Sequence, residues 1–213
     1  MRLKRYAIKE IFLTLQGEGH YAGRAAVFCR FTGCNLWSGK EYTRETSSCT
    51  FCDTDFVGTD GTHGGRYTAE DLVVQILSMW KGNGKPMVIF TGGEPLLQLD
   101  EQLVQHCQDH GLFVAVETNG TRPAPSNIDW LCISPKPRST IVLKTASELK
   151  LVFPQPESSM HPSQFEDFDA EHFFLQPMYG DNVVEHRQQV VDYCIENPKW
   201  RLSIQMQKVL QVR

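Results

Sequence analysis

The chain has 213 residues, of which 41% are apolar and 22% are charged, the balance of a folded globular protein rather than a disordered one. Its formal net charge of −4 carries no basic excess, so we do not expect nucleic acid as a partner. No apolar run approaches the ~20 residues needed to cross a bilayer, and the N-terminal segment lacks the features of a secretory signal peptide, which together predict a cytoplasmic protein with no membrane contact.

The seven cysteines are an odd number in a chain without signs of secretion. A disulfide framework is therefore a poor explanation, and reduced thiols are expected. Such thiols serve as small buried residues, as metal ligands or as catalytic groups.

Apolar runs typical of strands alternate with helical patterns along the chain. In chain order, the predicted elements are a strand at Ala26–Phe31, a helix after the N-cap Thr68, a strand at Met87–Phe90, a helix near Asp100–His110, strands at Leu112–Glu117, Trp130–Ser134, Glu148–Val152 and Phe173–Gln176, a helix at Asn182–Glu196 and a strand at Leu202–Gln205. Residues 35–48 and 154–162 are predicted to be irregular.

This alternation predicts parallel strands joined by right-handed crossovers. The chain is shorter than the ~250 residues of a complete eight-fold β/α barrel. We therefore expect an α/β fold in which residues 1–213 form one domain, a partial (β/α) barrel of about six parallel strands, with an insertion loop near residues 35–48.

Four predicted strands end in peptides rich in glycine, proline, hydroxyl and charged groups. They are TGGEP at 91–95, ETNG at 117–120, SPK at 134–136 and QPM at 176–178. Ligands of parallel α/β sheets bind at the carboxyl ends of the strands. These peptides therefore predict a ligand site at that edge.

Three cysteines follow the first predicted strand in a C-x14-C-x2-C pattern: Cys34, Cys49 and Cys52. The close pair suits two thiolates on one metal centre. A structural zinc site needs a fourth ligand, and Cys29 alternates with Arg30 along the strand, so the two cannot share a face. An iron–sulfur cluster with one open iron, a zinc site and a redox pair all remain compatible with the spacing. The other four cysteines are expected in the core: Cys29, Cys107, Cys132 and Cys194.

Together these motifs resemble the radical S-adenosylmethionine (SAM) superfamily and, within it, the 7-carboxy-7-deazaguanine synthase (QueE) family. The resemblance spans nearly the whole chain and rests on LQGEG at 15–19, FCRF at 28–31, GCN at 33–35, FCDT at 51–54, TGGEP at 91–95, ETNG at 117–120, SPK at 134–136, QPM at 176–178 and WRLS at 200–203. GGEP alone marks only the superfamily, whereas LQGEG, FCDT and SPK together are a much more specific match to the synthases.

The resemblance implies that Cys34, Cys49 and Cys52 hold a 4Fe–4S cluster whose fourth iron binds SAM, and that reductive cleavage of SAM starts a radical reaction. Glu94 is implied to accept a hydrogen bond from the SAM ammonium. The residues implied to line the SAM site are Gly93, Ser134, Pro135, Lys136, Gln176, Pro177, Met178 and Tyr179.

The implied substrate is 6-carboxy-5,6,7,8-tetrahydropterin, which loses ammonia on ring contraction to 7-carboxy-7-deazaguanine. Arg30 is placed to bind its carboxylate, Glu18 to accept from a ring N–H, and Thr54 to bind Mg²⁺ together with substrate oxygens. The implied substrate-binding residues are Leu15, Gln16, Gly17, Arg30, Thr91 and Arg213.

One departure from the family pattern lies near the C-terminus. The family commonly has QTHK where this chain has QMQK, so Gln207 replaces a histidine. An amide donates and accepts hydrogen bonds but does not titrate near neutrality.

The resemblance also implies flavodoxin or ferredoxin as the reductant and a homodimeric assembly. Two other functions remain open on the sequence. One is a glycyl-radical-type activase that acts on a partner protein, and the other is a non-enzymatic zinc-binding module.

Overall fold

The computed structural model describes residues 3–212. These residues form, in order, β1 (Tyr6–Leu15), β2 (Ala25–Phe31), β3 (Gly65–Tyr67), α1 (Ala69–Met79), β4 (Met87–Gly92), α2 (Glu101–Asp109), β5 (Phe113–Thr118), β6 (Trp130–Ile133), β7 (Thr145–Phe153), β8 (Asp169–Pro177), α3 (Val183–Glu196), β9 (Trp200–Leu202) and α4 (Met206–Leu210). The alternation of strands and helices expected from the sequence is confirmed.

The nine strands form one sheet in the order β3-β1-β2-β4-β5-β6-β7-β8-β9. Every neighbouring pair from β2 to β9 is parallel, so the parallel part has seven strands where about six were expected. β1 runs antiparallel to both β2 and β3. Because β3 and β9 are separate edges, the sheet is an open partial barrel.

The sequence patterns do not predict β1. Its pairing with β2 shifts register between Ile8 and Glu10, and such a bulge breaks the two-residue alternation by which a strand is recognised. Lys9 and Glu10 also interrupt the apolar run at this point. Tertiary pairing with β2 and β3, rather than a local pattern, therefore defines this strand.

Helices α1 and α2 cover one face of the sheet. The backbone N–H of Asp71 donates to the Thr68 hydroxyl (3.2 Å), and the N–H of Leu103 donates to the Asp100 carboxylate (3.0 Å), so each helix begins at a capping side chain. The buried core between helices and strands includes Leu72, Val73, Ile76, Leu103, Val104, Val27, Cys29, Val88, Phe90, Val114 and Val116. Since side chains alternate along a strand, the neighbours of these strand residues point to the opposite face.

Helix α3 covers the other half of the same sheet. Val190 is its fully buried residue, and it packs among side chains of β7, β8 and β9. This second cluster comprises Leu149, Leu151, Met160, Phe173, Leu175, Val190 and Trp200.

The hairpin between β1 and β2, residues 16–24, reaches across the uncovered face of the sheet. The N–H of Gly19 donates to the Ser203 hydroxyl (2.9 Å), and the N–H of His20 donates to the Glu148 carboxylate (2.9 Å). The His20 ring stacks on His172 with centroids 4.4 Å apart. The hairpin therefore connects β1 to β7, β8 and the segment after β9.

The strand expected at Leu202–Gln205 lies earlier in the chain. The structure places β9 at Trp200–Leu202. The next residues turn towards the hairpin, where the N–H of Met206 donates to the Gly17 carbonyl (3.1 Å). Among the described residues, no helix is long and apolar enough to span a membrane.

Candidate active site

A cavity of about 510 Å³ opens on the uncovered face of the sheet, at the carboxyl ends of the parallel strands. The site residues predicted from the sequence that line it are Leu15, Gln16, Gly17, Arg30, Cys34, Cys49, Cys52, Thr54, Thr91, Gly93, Ser134, Lys136, Gln176, Pro177, Met178 and Tyr179. Pro135 is buried and is not part of the lining. Arg213 lies outside the described residues.

Cys34, Cys49 and Cys52 all line this cavity, close enough to interact electrostatically with one another. The N–H of Leu36 points at the Cys34 sulfur, with a distance of 3.4 Å. A hydrogen bond between Cys49 and Cys52 raises the pKa of Cys49 and lowers that of Cys52 to about 6. The pair therefore releases its first proton more readily than an isolated thiol does, as metal or cluster binding requires.

The three thiols do not converge on one point. In the part of the chain that the structure describes, no group of three or more histidine, cysteine, aspartate or glutamate side chains is arranged to hold a single metal ion. A cluster of several irons binds each cysteine sulfur through a different iron, so its ligands need not surround one point.

The other four cysteines lie away from the cavity, as expected. Cys29, Cys107 and Cys132 are buried, and Cys194 is half-buried against the second apolar cluster. Burial raises the pKa of all four thiols. They are therefore packing residues rather than thiolates.

The loop between Cys34 and Cys49 is organised around Arg44. Its guanidinium donates to the backbone carbonyls of Thr50 (3.1 Å) and Cys52 (2.9 Å) and forms two hydrogen bonds with Glu41. It also lies over the Trp37 ring, 4.1 Å from the centroid. The predicted irregular insertion thus contains one short 3₁₀ turn, at residues 41–43, and brings its cysteines back to the cavity.

The end of β4 passes very close to the loop after β2. A Cβ atom on Gly93 would lie 2.2 Å from the Gly33 carbonyl oxygen and 2.8 Å from the Cys34 Cβ. Gly92 has φ +149°, and its Cβ would lie 2.4 Å from the Phe31 carbonyl oxygen. Only glycine permits this approach of the backbone.

Glu94 does not line the cavity, although the sequence predicts that it faces SAM. It is fully buried, and its carboxylate accepts from the Thr118 hydroxyl (2.7 Å), the Asn119 N–H (2.8 Å) and the Leu96 N–H (2.9 Å). Burial raises the pKa of this carboxyl. Glu94 instead joins the ends of β4 and β5 behind the cavity wall.

Asparagine side chains connect the loop after Cys34 to the end of β5. Asn119 donates to the Asn35 side-chain oxygen (3.1 Å), and Asn35 donates to the Thr121 hydroxyl (2.8 Å). The ETNG peptide, through Asn119, therefore helps to position the start of the cysteine loop at Asn35.

A row of charged side chains also lines the cavity. Lys150 on β7 donates to Glu18 and to Glu117, at 2.7 Å in each case. The lysine side chain is 4% exposed. Gln16 donates to the other oxygen of Glu117 (2.8 Å). The three charged residues, Glu18, Lys150 and Glu117, line the cavity together with Gln16.

The C-terminal segment completes this row. Gln205 and Gln207 each donate to the same oxygen of Glu18, at 3.0 Å. Burial raises the pKa of Glu18, but Lys150 and the two amides outweigh it and lower the value to about 2. Glu18 is therefore ionised. The side-chain oxygen of Gln207 is buried without a hydrogen-bond partner in the described chain.

Arg30 extends from β2 into the cavity on the side of β1. Its Nε donates to Glu10 (2.9 Å), and both side chains are less than one-fifth exposed. This bond leaves the two terminal nitrogens of the guanidinium for another acceptor. Thr54 lies on the cavity wall between Asp53 and Asp55.

Those two aspartates form ion pairs that hold the segment after Cys52. Lys208 on α4 pairs with Asp53, and Lys9 on β1 pairs with Asp55 (2.8 Å). The segment that carries Thr54 is thus attached to β1 through Lys9 and to α4 through Lys208.

A model of the radical SAM superfamily matches residues 43–155, about half of the chain. Over 210 residues the chain is 54% identical to 7-carboxy-7-deazaguanine synthase of Bradyrhizobium diazoefficiens, a match covering 98% of this chain and 99% of the relative. The chain belongs to the 7-carboxy-7-deazaguanine synthase family.

A second synthase, from Bordetella pertussis, is also 54% identical, over 97% of this chain and 99% of its own length. The crystal structure of QueE from Escherichia coli superposes with a TM-score of 0.72 at 25% identity and covers 94% of each chain. The family and the α/β fold inferred from the motifs are confirmed. These matches favour neither the glycyl-radical activase nor the zinc-binding module.

Sequence reasoning did not identify Lys150 as a site residue, and it placed Glu117 at the ligand edge only as part of the ETNG peptide. Lys150 stands in the apolar run LKLVF of a predicted core strand. A lysine on a core strand is costly unless paired, and that signal was available before the structure.

Proposed function

We propose that the protein converts 6-carboxy-5,6,7,8-tetrahydropterin into 7-carboxy-7-deazaguanine, with loss of ammonia, as a radical SAM enzyme. The observation that carries this proposal is that the cysteine trio and the Glu18–Lys150–Glu117 row line one cavity. The chain is 54% identical to curated synthases over nearly its whole length. One cavity thus offers both the metal-binding thiols and the polar groups that a flat heterocycle needs.

The protein's cofactors are a 4Fe–4S cluster and SAM, as its membership of the radical SAM superfamily requires. When bound, these groups supply the one-electron cleavage that starts the radical reaction. The residues present fit the cluster because three thiols line the same cavity and the pKa of Cys52 is lowered to about 6 by its hydrogen bond with Cys49. We assign Cys34, Cys49 and Cys52 as its ligands.

The SAM site in this proposal follows the strand ends next to the thiols. Gly93 brings bare backbone to the cavity beside Cys34. Lys136, whose ammonium donates to the Ser134 hydroxyl (2.6 Å), stands at the end of β6. The full proposed set is Gly93, Ser134, Pro135, Lys136, Gln176, Pro177, Met178 and Tyr179, of which Pro135 acts by shaping the SPK turn.

The substrate site in this proposal occupies the rest of the cavity. The terminal nitrogens of Arg30 bind the substrate carboxylate. Thr54, with that carboxylate, holds Mg²⁺ through oxygen ligands. The remaining proposed contacts are Leu15, Gln16, Gly17, Thr91 and Arg213. The protein's part in catalysis is to orient the pterin relative to the cluster and to exclude water and other hydrogen donors from it.

A radical SAM enzyme that acts on a small molecule needs a reductant. We propose flavodoxin or ferredoxin for this role, and a homodimeric assembly. Sedimentation of the reconstituted protein tests the assembly, and turnover with each purified reductant tests the partner.

The deciding experiment is anaerobic reconstitution followed by reaction with carboxytetrahydropterin, SAM and dithionite. The expected product is 7-carboxy-7-deazaguanine, identified by its mass and ultraviolet spectrum. The variants Cys34→Ala, Cys49→Ala and Cys52→Ala should lose iron and activity together, whereas Cys194→Ala should keep both. A protein that holds a full cluster and yields no deazaguanine would disprove the proposal.

A further inference from the structure

The row formed by Glu18, Lys150 and Glu117 has a hydrogen-bonding pattern that matches one edge of a tetrahydropterin. We propose that Lys150 donates to the ring carbonyl oxygen of the substrate while the two carboxylates accept from the N–H groups that flank it. The row would then select the reduced ring. This inference rests on the function proposed above; it adds Lys150 and Glu117 to Glu18, which the family resemblance already implies as an acceptor from a ring N–H, and it adds the selection of the reduced ring.

The hydrogen-bond count leaves Lys150 with one donor for a ligand. An ammonium has three N–H donors. Two are used, on Glu18 and Glu117, at 2.7 Å each. The lysine side chain is 4% exposed and lines the cavity. A buried ammonium with an unused donor is costly unless an acceptor arrives from the cavity.

The carboxylates on either side are fixed as acceptors. Gln205 and Gln207 donate to one oxygen of Glu18, and Lys150 donates to the other. On Glu117, Gln16 and Lys150 take one oxygen each. Each carboxylate oxygen can accept two hydrogen bonds, so capacity remains on both sides of the ammonium. The row therefore presents an acceptor, a donor and an acceptor, in that order.

The charges keep this order unambiguous. The pKa of Glu18 is low. Burial favours the neutral amine of Lys150, but Glu117 and Glu18 outweigh it and raise its pKa. An ionised carboxylate cannot donate and an ammonium cannot accept. A ligand edge that does not present donor, acceptor and donor in that order leaves a buried group of the row without a hydrogen bond, or places an acceptor against a carboxylate or a donor against the ammonium.

A 5,6,7,8-tetrahydropterin has the complementary edge, because its C4 carbonyl lies between the N3–H and the N5–H. An oxidised pterin has a bare N5, which is an acceptor and opposes a carboxylate. In the 7-deazaguanine product, the position beside the carbonyl carries a carboxylate instead of an N–H. The row thus favours substrate over both the oxidised pterin and the product, which assists product release.

Equilibrium binding under argon, without reductant, tests this recognition. The reconstituted enzyme with SAM is titrated with 6-carboxytetrahydropterin and, separately, with oxidised 6-carboxypterin. We expect the wild type to prefer the reduced ring by about 100-fold, since a site that hydrogen-bonds a specific N–H rejects analogues that lack it. Glu18→Gln and Glu117→Gln identify the carboxylate that faces N5, because an amide there can donate to a bare nitrogen and should lower the preference at least tenfold.

Glu148→Gln is the matched control. Glu148 is a buried carboxylate on the same strand as Lys150 but does not line the cavity, so its replacement should leave the preference unchanged. Lys150→Met should weaken binding of both the reduced and the oxidised pterin. If this variant does not fold because Glu117 loses its ion-pair partner, the double variant Lys150→Met/Glu117→Gln removes the unpaired charge and serves in its place.

An unchanged preference in both Glu18→Gln and Glu117→Gln, in an enzyme that still converts the pterin, would overturn this inference and leave the proposed function intact. Failure of the wild type to bind and convert the reduced pterin would instead remove the proposed function itself.

Discussion

Gly93 and Gly33 approach each other so closely that a single added methyl group on Gly93 would meet the Gly33 carbonyl oxygen at 2.2 Å. In addition, the N–H of Glu94 donates to the same Gly33 oxygen (2.9 Å). The end of β4 and the start of the cysteine loop are thus one unit, and a change at Gly93 acts directly on the position of Cys34.

Gly93→Ala should displace the cysteine loop, because the methyl group meets backbone that cannot rotate away. We expect a loss of stability of about 1–3 kcal/mol and a lower iron content per chain after reconstitution. Gly84→Ala is the control, since a Cβ there meets nothing within 4 Å. Normal iron loading and SAM binding in Gly93→Ala would contradict this.

Glu94→Gln should destabilise the protein although it removes a buried charge. The carboxylate accepts from three donors on two loops, and an amide nitrogen would face at least one of those donors. An unpaired buried group of this kind costs about 1–3 kcal/mol. Urea unfolding measures the difference, with the exposed Glu70→Gln as the control; equal midpoints for the two variants would exclude this role for Glu94.

Glu18→Gln should change how the free energy of unfolding depends on pH below neutrality. The pKa of Glu18 falls from 4.5 to about 2 in the folded protein, so its stabilisation is present above pH 4.5 and is lost as the pH falls towards 2. That shift corresponds to about 3 kcal/mol. Between pH 6 and pH 2, the free energy of unfolding of the wild type should fall by this amount more than that of the variant. If the two plots of unfolding free energy against pH are parallel, Glu18 does not contribute this stabilisation.

Gln207→His should preserve the hydrogen bond to Glu18 and add a titrating group. The Gln207 amide nitrogen lies 3.0 Å from the Glu18 oxygen, and a ring N–H can take its place. Because the carboxylate favours the imidazolium, the new pKa should lie above the ordinary value of about 6.5. The pH profile of kcat/KM should acquire this ionisation; Gln211→His, on the same segment, should not show it.

Arg30→Lys should weaken binding of the substrate carboxylate. A lysine cannot provide the paired donors of a guanidinium, and we expect KM to rise by about 10-fold, equivalent to about 1.4 kcal/mol. Tetrahydropterin without the 6-carboxylate should bind both proteins equally as a competitor. Arg66→Lys, at the β3 edge and away from the cavity, is the control; a matching rise in KM there would show that the effect is not specific to the cavity.

Local sequence patterns predicted much of the fold and of the cavity lining. The apolar runs of β2 and β4–β8 are long enough to be recognised, and the peptides at their ends share one edge because parallel strands place them there. Cys34 lies at this edge for the same reason, because it follows β2 by three residues, and Cys49 and Cys52 line the same cavity. Their role as cluster ligands stays a prediction.

Contacts between distant parts of the chain explain what the patterns did not predict. Lys150 meets Glu117 across 33 residues and Glu18 across 132 residues. No local pattern contains such a pairing. Glu94 was expected to face the ligand, but the donors supplied by the end of β5 turn its carboxylate away from the cavity.

The contacts of Arg44 explain how the unusually long cysteine loop keeps its shape. Its guanidinium is held by backbone carbonyls, a carboxylate and an indole ring, and none of these contacts uses a sulfur atom. These contacts shape the loop without needing a metal. We therefore expect this loop to retain much of its shape before iron and sulfide bind.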